Sequence, residues 1–145
     1  MNLLATSLGR IDLHSPVTVA SGTFDTAYFD LFDHKVLGAY VTKTITLEPK
    51  RGNSPPRLYE TEAGLLNSIG LQNPGLKAWL NDEFQRLLDL LQIPLIVSFS
   101  GASEDEFFRI LDGLELQEGI AGYEVNISCP NVAKEGIAFG ADPDV

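Results

Sequence analysis

Short apolar runs of strand type take turns with helix-type patterns along most of this chain, and no other feature restricts its fold as much. Val17-Thr18-Val19-Ala20, Ala39-Tyr40-Val41-Thr42-Lys43-Thr44, Pro94-Leu95-Ile96-Val97-Ser98 and Gly122 to Asn126 are the strand candidates. They are rich in β-branched residues, as expected of strands covered on both faces. Between them, Leu76, Trp79, Leu80, Phe84, Leu87, Leu88 and Leu91 recur at spacings of three and four. This pattern predicts a helix, with Pro74 just ahead of it where a missing donor is harmless. Phe107, Ile110, Leu111 and Leu114 predict a second helix, with Ser103 and Glu106 at capping-box spacing. Thr26 to Phe32 predicts a shorter one. Strands that alternate with helices imply an α/β fold, a parallel sheet with right-handed crossovers.

Two hairpins decorate this plan. Leu3 to Leu8 and Ile11-Asp12-Leu13 flank Gly9-Arg10 and open the chain as two short strands around a tight turn. Arg57-Leu58-Tyr59-Glu60 and Gly64 to Ser68 form an inserted hairpin, preceded by a loop from Leu47 to Pro56 rich in Pro and Gly.

Composition excludes several classes of function. The 145 residues are 44% hydrophobic and 21% charged, enough for one domain with a core. A formal charge of −10 opposes a nucleic-acid partner. The one basic cluster, Lys43, Lys50, Arg51 and Arg57, reads as a solvated loop. No apolar run approaches the ~18 residues of a membrane span, and Met1-Asn2-Leu3-Leu4 lacks the pattern of a signal peptide, so a cytoplasmic protein with no membrane partner is expected. The single cysteine fits a reducing compartment and leaves a thiol available for chemistry.

That cysteine lies in Glu124-Val125-Asn126-Ile127-Ser128-Cys129-Pro130-Asn131, where a strand of period two runs into a polar loop. Pro130 ends the ladder, so Cys129 falls just past the carboxyl end of the strand, the face on which α/β proteins collect catalytic groups. Lys43 also sits at a strand's carboxyl end, where a cation either reaches solvent or meets an anion. Ala20-Ser21-Gly22 are small enough for a backbone to approach a ligand closely.

Four segments together resemble the dihydroorotate dehydrogenase family, the FMN-dependent enzymes of pyrimidine synthesis: Ala20-Ser21-Gly22, Thr42-Lys43-Thr44, Leu66 to Gly75, and Asn126 to Asn131. The cysteine, with Glu135 to Gly140 after it, resembles the soluble, cysteine-using class, and within that class the heteromeric NAD-linked branch. Ser98 is a departure, since that branch usually has Asn near the flavin. The family fold is a (β/α)8 TIM barrel. The resemblance implies that residues 1–145 are the amino-terminal half of a single FMN-binding barrel domain, with four barrel strands beginning at Val17, Ala39, Pro94 and Gly122.

The resemblance further implies oxidation of dihydroorotate to orotate with FMN as hydride acceptor. Cys129 would be the base that takes the C5 proton. An unperturbed thiol titrates near ~8.5, within reach of working pH. Asn67, Asn126 and Asn131 would bind the pyrimidine ring, since each amide carries donors and an acceptor. The substrate carboxylate would meet the N–H groups of Ile69, Gly70 and Leu71 and the Lys43 ammonium. Ala20, Ser21, Lys43, Thr44, Ser98 and Asn126 would touch the flavin. Electrons would leave through a separate subunit carrying FAD and an iron–sulfur cluster, and the full-length chain would form a homodimer. Two other readings remain beside this one: a related flavin-dependent dihydropyrimidine dehydrogenase, and a truncated, non-catalytic fragment. Taken alone, the 145 residues are expected to be inactive, marginally stable and prone to self-association, because strand edges would lack partners.

Overall fold

The computed structural model describes residues 3–127 and residue 140. The chain opens with β1 (Thr6–Leu8) and β2 (Ile11–Leu13), an antiparallel pair turning at Gly9. Gly9 has φ +58, a left-handed conformation that a side chain would oppose. A parallel sheet follows, built from β3 (Tyr40–Val41), β6 (Leu95–Phe99) and β7 (Ile120–Val125) in the order β3-β6-β7. The inserted hairpin, β4 (Leu58–Thr61) and β5 (Gly64–Asn67), lies between β3 and β6 in sequence and pairs only with itself among the described residues.

The long helix runs in three joined parts: α1 (Leu76–Trp79), a π-helical turn (Leu80–Phe84) and α2 (Gln85–Leu90). The widened turn is local, and the expected apolar face survives it, with Leu76, Trp79, Phe84 and Leu87 all buried. Helix α3 (Glu104–Glu115) starts at Ser103, whose Oγ accepts from Glu106 N at 3.3 Å. The Glu106 carboxylate reaches back to Ala102 N at 2.8 Å, so the predicted capping box closes one residue further upstream than usual. Gly113 lets the two helices meet: a Cβ there would stand 2.9 Å from Leu76 Cδ2.

Side chains of the sheet alternate between two apolar layers, as the period of a strand requires. Tyr40, Leu95, Val97 and Phe99 face the helices and join Trp79, Leu87, Ile110 and Leu114 in the main core. Ala39, Val41 and Ile96 face the other way, where Leu13 and Ile11 of the opening hairpin cover them. Each fully buried side chain of this size contributes roughly 1.5–3 kcal/mol.

The Val17 segment departs from expectation. It is no strand: Thr18 makes one parallel bridge to Ala39, and Val17 is 58% exposed. The cause lies at Gly38, where a Cβ would fall 1.9 Å from Ser15 O. The two segments are packed backbone to backbone there, and their parallel pairing is limited to the Thr18 bridge and Gly38 N donating to Val17 O at 2.8 Å. Thr26 to Phe32 also departs, giving 3-10 turns at Thr26–Tyr28 and His34–Val36 in place of an α-helix. Asp25 and Asp33 cap these turns by accepting from Ala27 N and Lys35 N, and such short polar side chains favour turns over longer helices.

Candidate functional site

The parallel sheet brings three strand ends level. Ile45 bridges Phe99, and Phe99 pairs with Val125, so residues 44–46, 98–100 and 124–126 lie side by side at the carboxyl end. Beyond Val41 the ladder of β3 is irregular: Ser98 N donates to Thr42 Oγ1 at 3.0 Å, and Ile45 N then resumes bonding to Ser98 O at 3.0 Å. The side chains of Thr44, Ser98 and Asn126 converge as a result. The Thr44 and Ser98 hydroxyls are 2.8 Å apart, and Asn126 Nδ2 donates to Thr44 Oγ1 at 3.2 Å. Asn126 is itself fixed from both ends of its peptide unit, N donating to Phe99 O at 2.8 Å and O accepting from Ser100 Oγ at 2.9 Å. Thr44 and Ser98 are almost wholly buried, while Asn126 is half-buried.

Lys43 precedes Thr44 in the chain and packs on the loop from Ala20 to Thr23. Gly22 has φ +72, and a Cβ on it would stand 2.8 Å from Lys43 Cδ and 2.9 Å from Nζ. Only a residue without a side chain lets the amine lie against that backbone. Thr23 closes the loop, with its N and Oγ1 both donating to Ala20 O at 3.1 and 2.7 Å. Ala20 is exposed and Ser21 half-buried. A cavity of about 220 Å³ opens here, lined by Gly22, Phe24, Asp25, Tyr40, Lys43 and Glu83 among others. Burial, reinforced by the Asp25 charge and opposed by Arg86, holds the Glu83 carboxyl above the usual carboxylate range. A larger concavity of about 610 Å³ lies along Leu47, Pro49, Gly75 and Leu76, and no predicted site residue lines it.

Ile69, Gly70 and Leu71 form a second locus. Gly70 and Leu71 have φ +76 and +53, and a left-handed Leu is uncommon enough to mark a constrained loop. Among the described residues, no acceptor takes their N–H groups. The loop is instead held through its carbonyls and its neighbours: Asn53 N donates to Ile69 O at 3.0 Å, and Asn53 Nδ2 to Ser68 Oγ at 2.7 Å. Arg57 clamps the same structure by donating to Asn53 O, to Gln72 Oε1 and to Arg51 O. The basic cluster is therefore in part a structural clasp, contrary to its reading as a solvated loop. Asn67 ends β5 on the exposed inserted hairpin, opposite Leu58.

Asn73 is the residue that sequence reasoning passed over. It is buried, and its Oδ1 accepts from Thr46 N at 3.1 Å and Gly75 N at 2.9 Å while Nδ2 donates to Leu71 O at 2.9 Å. Leu76 N completes the join by donating to Thr46 O at 2.8 Å. The bond to Gly75, two residues on, is an Asx turn, and Asn followed by Pro and Gly was the signal that could have announced it. Cys129 and Asn131 lie outside the described residues. Among the described residues, no helix is long and apolar enough to cross a membrane.

A parallel α/β sheet with polar side chains gathered at its strand ends and an amine set against a glycine turn makes a candidate strand-end site. The family to which such a chain belongs is shown by its sequence: the family model described as dihydroorotate dehydrogenase matches residues 3–145, and the chain belongs to that family. It is 48% identical over 141 residues to the dihydroorotate dehydrogenase B (NAD(+)) catalytic subunit of Desulforudis audaxviator, covering 96% of this chain and 46% of that protein. The subunit of the same name from Thermoanaerobacter pseudethanolicus is 44% identical over 143 residues, covering 97% and 47%. In fold the chain is similar to a crystal structure of DHODH in complex with ferulenol from Eimeria tenella. The TM-score is 0.61 at 22% identity, over 89% of this chain and 38% of that one. The chain thus spans about half the length of the curated relatives it matches.

Proposed function

We propose that residues 1–145 form the amino-terminal half of one (β/α)8 FMN-binding barrel domain that oxidises dihydroorotate to orotate in pyrimidine synthesis. The observation that carries this reading is the strand-end trio of Thr44, Ser98 and Asn126, with Lys43, the residue before Thr44, set on its glycine turn. Membership of the family and the names of the relatives support it. The three parallel strands are then three barrel strands in order, and the bridge at Thr18 marks where a fourth would run.

The residues present fit a flavin. The half-buried Asn126 amide carries donor and acceptor groups suited to a heteroaromatic ring, and the buried Thr44 and Ser98 hydroxyls brace it from below. The Gly22 turn leaves a flat approach where any Cβ would strike Lys43. Ala20, Ser21, Lys43, Thr44, Ser98 and Asn126 would hold the ring, and FMN would supply the capacity to accept a hydride from C6 of the substrate. The chain's own part is to bind and orient the substrate and to remove its C5 proton. Cys129, as thiolate, would take that proton. Lys43 would neutralise negative charge that collects beside it, and the N–H groups of Ile69, Gly70 and Leu71 would hold the substrate carboxylate. Asn67, Asn126 and Asn131 would match the ring's alternating carbonyl and N–H groups. Because the relatives carry the name of a catalytic subunit, we assign the chain an electron-transfer partner bearing FAD and an iron–sulfur cluster. A homodimer of full-length chains and a cytoplasmic location complete the proposal.

Turnover of the full-length gene product with dihydroorotate and with dihydrouracil tests the assignment. Activity with dihydroorotate is expected. Activity confined to dihydrouracil would replace this reading with that of a dihydropyrimidine dehydrogenase.

A further inference from the structure

Tyr40 lines the cavity beside Lys43, and its strand leads directly to that residue. Its ring is buried, 3% exposed, and its hydroxyl donates to Phe24 O at 3.1 Å. Phe24 follows Gly22 by two residues, and Gly22 is the position whose backbone lies against the Lys43 amine. Upstream, the same segment is joined to the sheet by the Thr18 bridge and by Gly38 N donating to Val17 O at 2.8 Å. Between those contacts and Phe24 the loop is largely exposed, with Ala20, Gly22 and Thr23 open to solvent. Little apolar burial restrains it there, so its position depends on how firmly its two ends are fixed.

The downstream end is fixed by two kinds of contact. Phe24 stacks on Phe29 at 5.8 Å, and Phe29 meets the Tyr40 ring edge-on, also at 5.8 Å. Ring packing sets distance but leaves the peptide free to rotate, whereas a hydrogen bond to a carbonyl fixes its orientation. Burial first, then the charges of Asp25 and Glu83, push the hydroxyl up to about 12, with Arg86 acting in the opposite direction. The group therefore stays a donor at any working pH.

We infer that Tyr40 is a positioning residue of the Lys43 site, its hydroxyl tying the Gly22 loop to the strand that carries Lys43. The inference rests on the flavin reading above, since it gives the loop its purpose. One strand would then set both the amine and the backbone turn that faces it, so the two keep their spacing as the sheet flexes.

The test uses the full-length chain with Tyr40→Phe, which keeps the ring and removes only the hydroxyl. Amide hydrogen exchange is followed at residues 22–25 and, for comparison, at residues 97–99 of β6. Exchange at 22–25 is expected to accelerate about tenfold while β6 is unchanged, and FMN is expected to bind several-fold more weakly. Tyr40→Leu, which removes ring and hydroxyl together, should in contrast lower protection across the sheet. Unchanged exchange at 22–25 in Tyr40→Phe, or a uniform change across the sheet, would overturn the tether. Local acceleration with FMN affinity unaltered would overturn its link to the site. A wild-type chain that binds no FMN would reject the flavin reading itself, and the exchange comparison would still decide whether Tyr40 holds the loop.

Discussion

Thr44 and Ser98, 54 positions apart in the chain, meet hydroxyl to hydroxyl at 2.8 Å where two parallel strands end. Neither side chain reaches solvent, so each satisfies the other in a place where water does not. Thr44→Val removes the acceptor used by Asn126 Nδ2 and the partner of Ser98 together, and should cost about 2–3 kcal/mol. Ser98→Ala should cost about 1 kcal/mol. Denaturant titrations of the two single variants and the double variant check the coupling. A double variant whose loss equals the sum would mean that the two hydroxyls act independently.

Asn73→Ala removes the acceptor of Thr46 N and Gly75 N, the donor to Leu71 O and the contacts with the Thr46 hydroxyl, all at a buried position. The loss should be about 3 kcal/mol or more, because Thr46 N and Leu71 O are left unsatisfied. Urea unfolding measures it. Wild-type stability in the variant would show that water replaces the amide, and that Asn53 and Arg57 suffice to hold the Leu71 loop.

The alkaline limb of stability should carry the signature of Tyr40. A phenol that titrates near 10 in the unfolded chain and at about 12 when folded contributes its full stability below pH 10. Above that the unfolded state ionises first, and the contribution is lost as pH rises from 10 through 12. The integrated effect is about 2–3 kcal/mol. Thermal melts of wild type and Tyr40→Phe across this range should converge as pH rises, and parallel curves would contradict the assignment.

On the proposed function, Cys129→Ala in the full-length chain should slow flavin reduction by dihydroorotate by on the order of 10²–10⁴, the usual effect of a positioned base. FMN should remain bound, and Cys129→Ser should keep slight activity with a higher pH optimum. Stopped-flow absorbance measures both variants. An unaltered rate in the alanine variant would move the base to another residue.

What could be read from the sequence was local or periodic. Leu76 to Leu91 declared a helix because its apolar face repeats within the segment itself, and a π turn displaces that face too little to hide it. The opening hairpin, the inserted hairpin and the Ser103 cap were legible for the same reason. Val17 to Ala20 was misread because a β-branched run says only that a residue suits a strand, while a strand also needs a neighbour along its length. The pairing with Ala39 is limited to a single bridge at Thr18, which the composition of the run does not reveal. Asn73 escaped notice because Thr46, its main partner, is 27 positions away. In the site, Thr44, Ser98 and Asn126 were singled out by the family resemblance and not by any pattern in the residues, and the closeness of Lys43 to Gly22 depends on a turn the sequence does not announce.

The order of pairing in the sheet also sets a timetable for folding. Strand β6 finds β7 across roughly 25 residues, about half of them in the self-organising helix α3, but must gather roughly 55 to find β3. The unit β6-α3-β7 should consolidate first and recruit β3 afterwards. Val97→Ala should therefore slow folding, whereas Val41→Ala should chiefly hasten unfolding. Ser98 and Asn126 would then be in place early, and the strand-end trio would remain incomplete until the slowest loop in the sheet has closed and delivered Thr44.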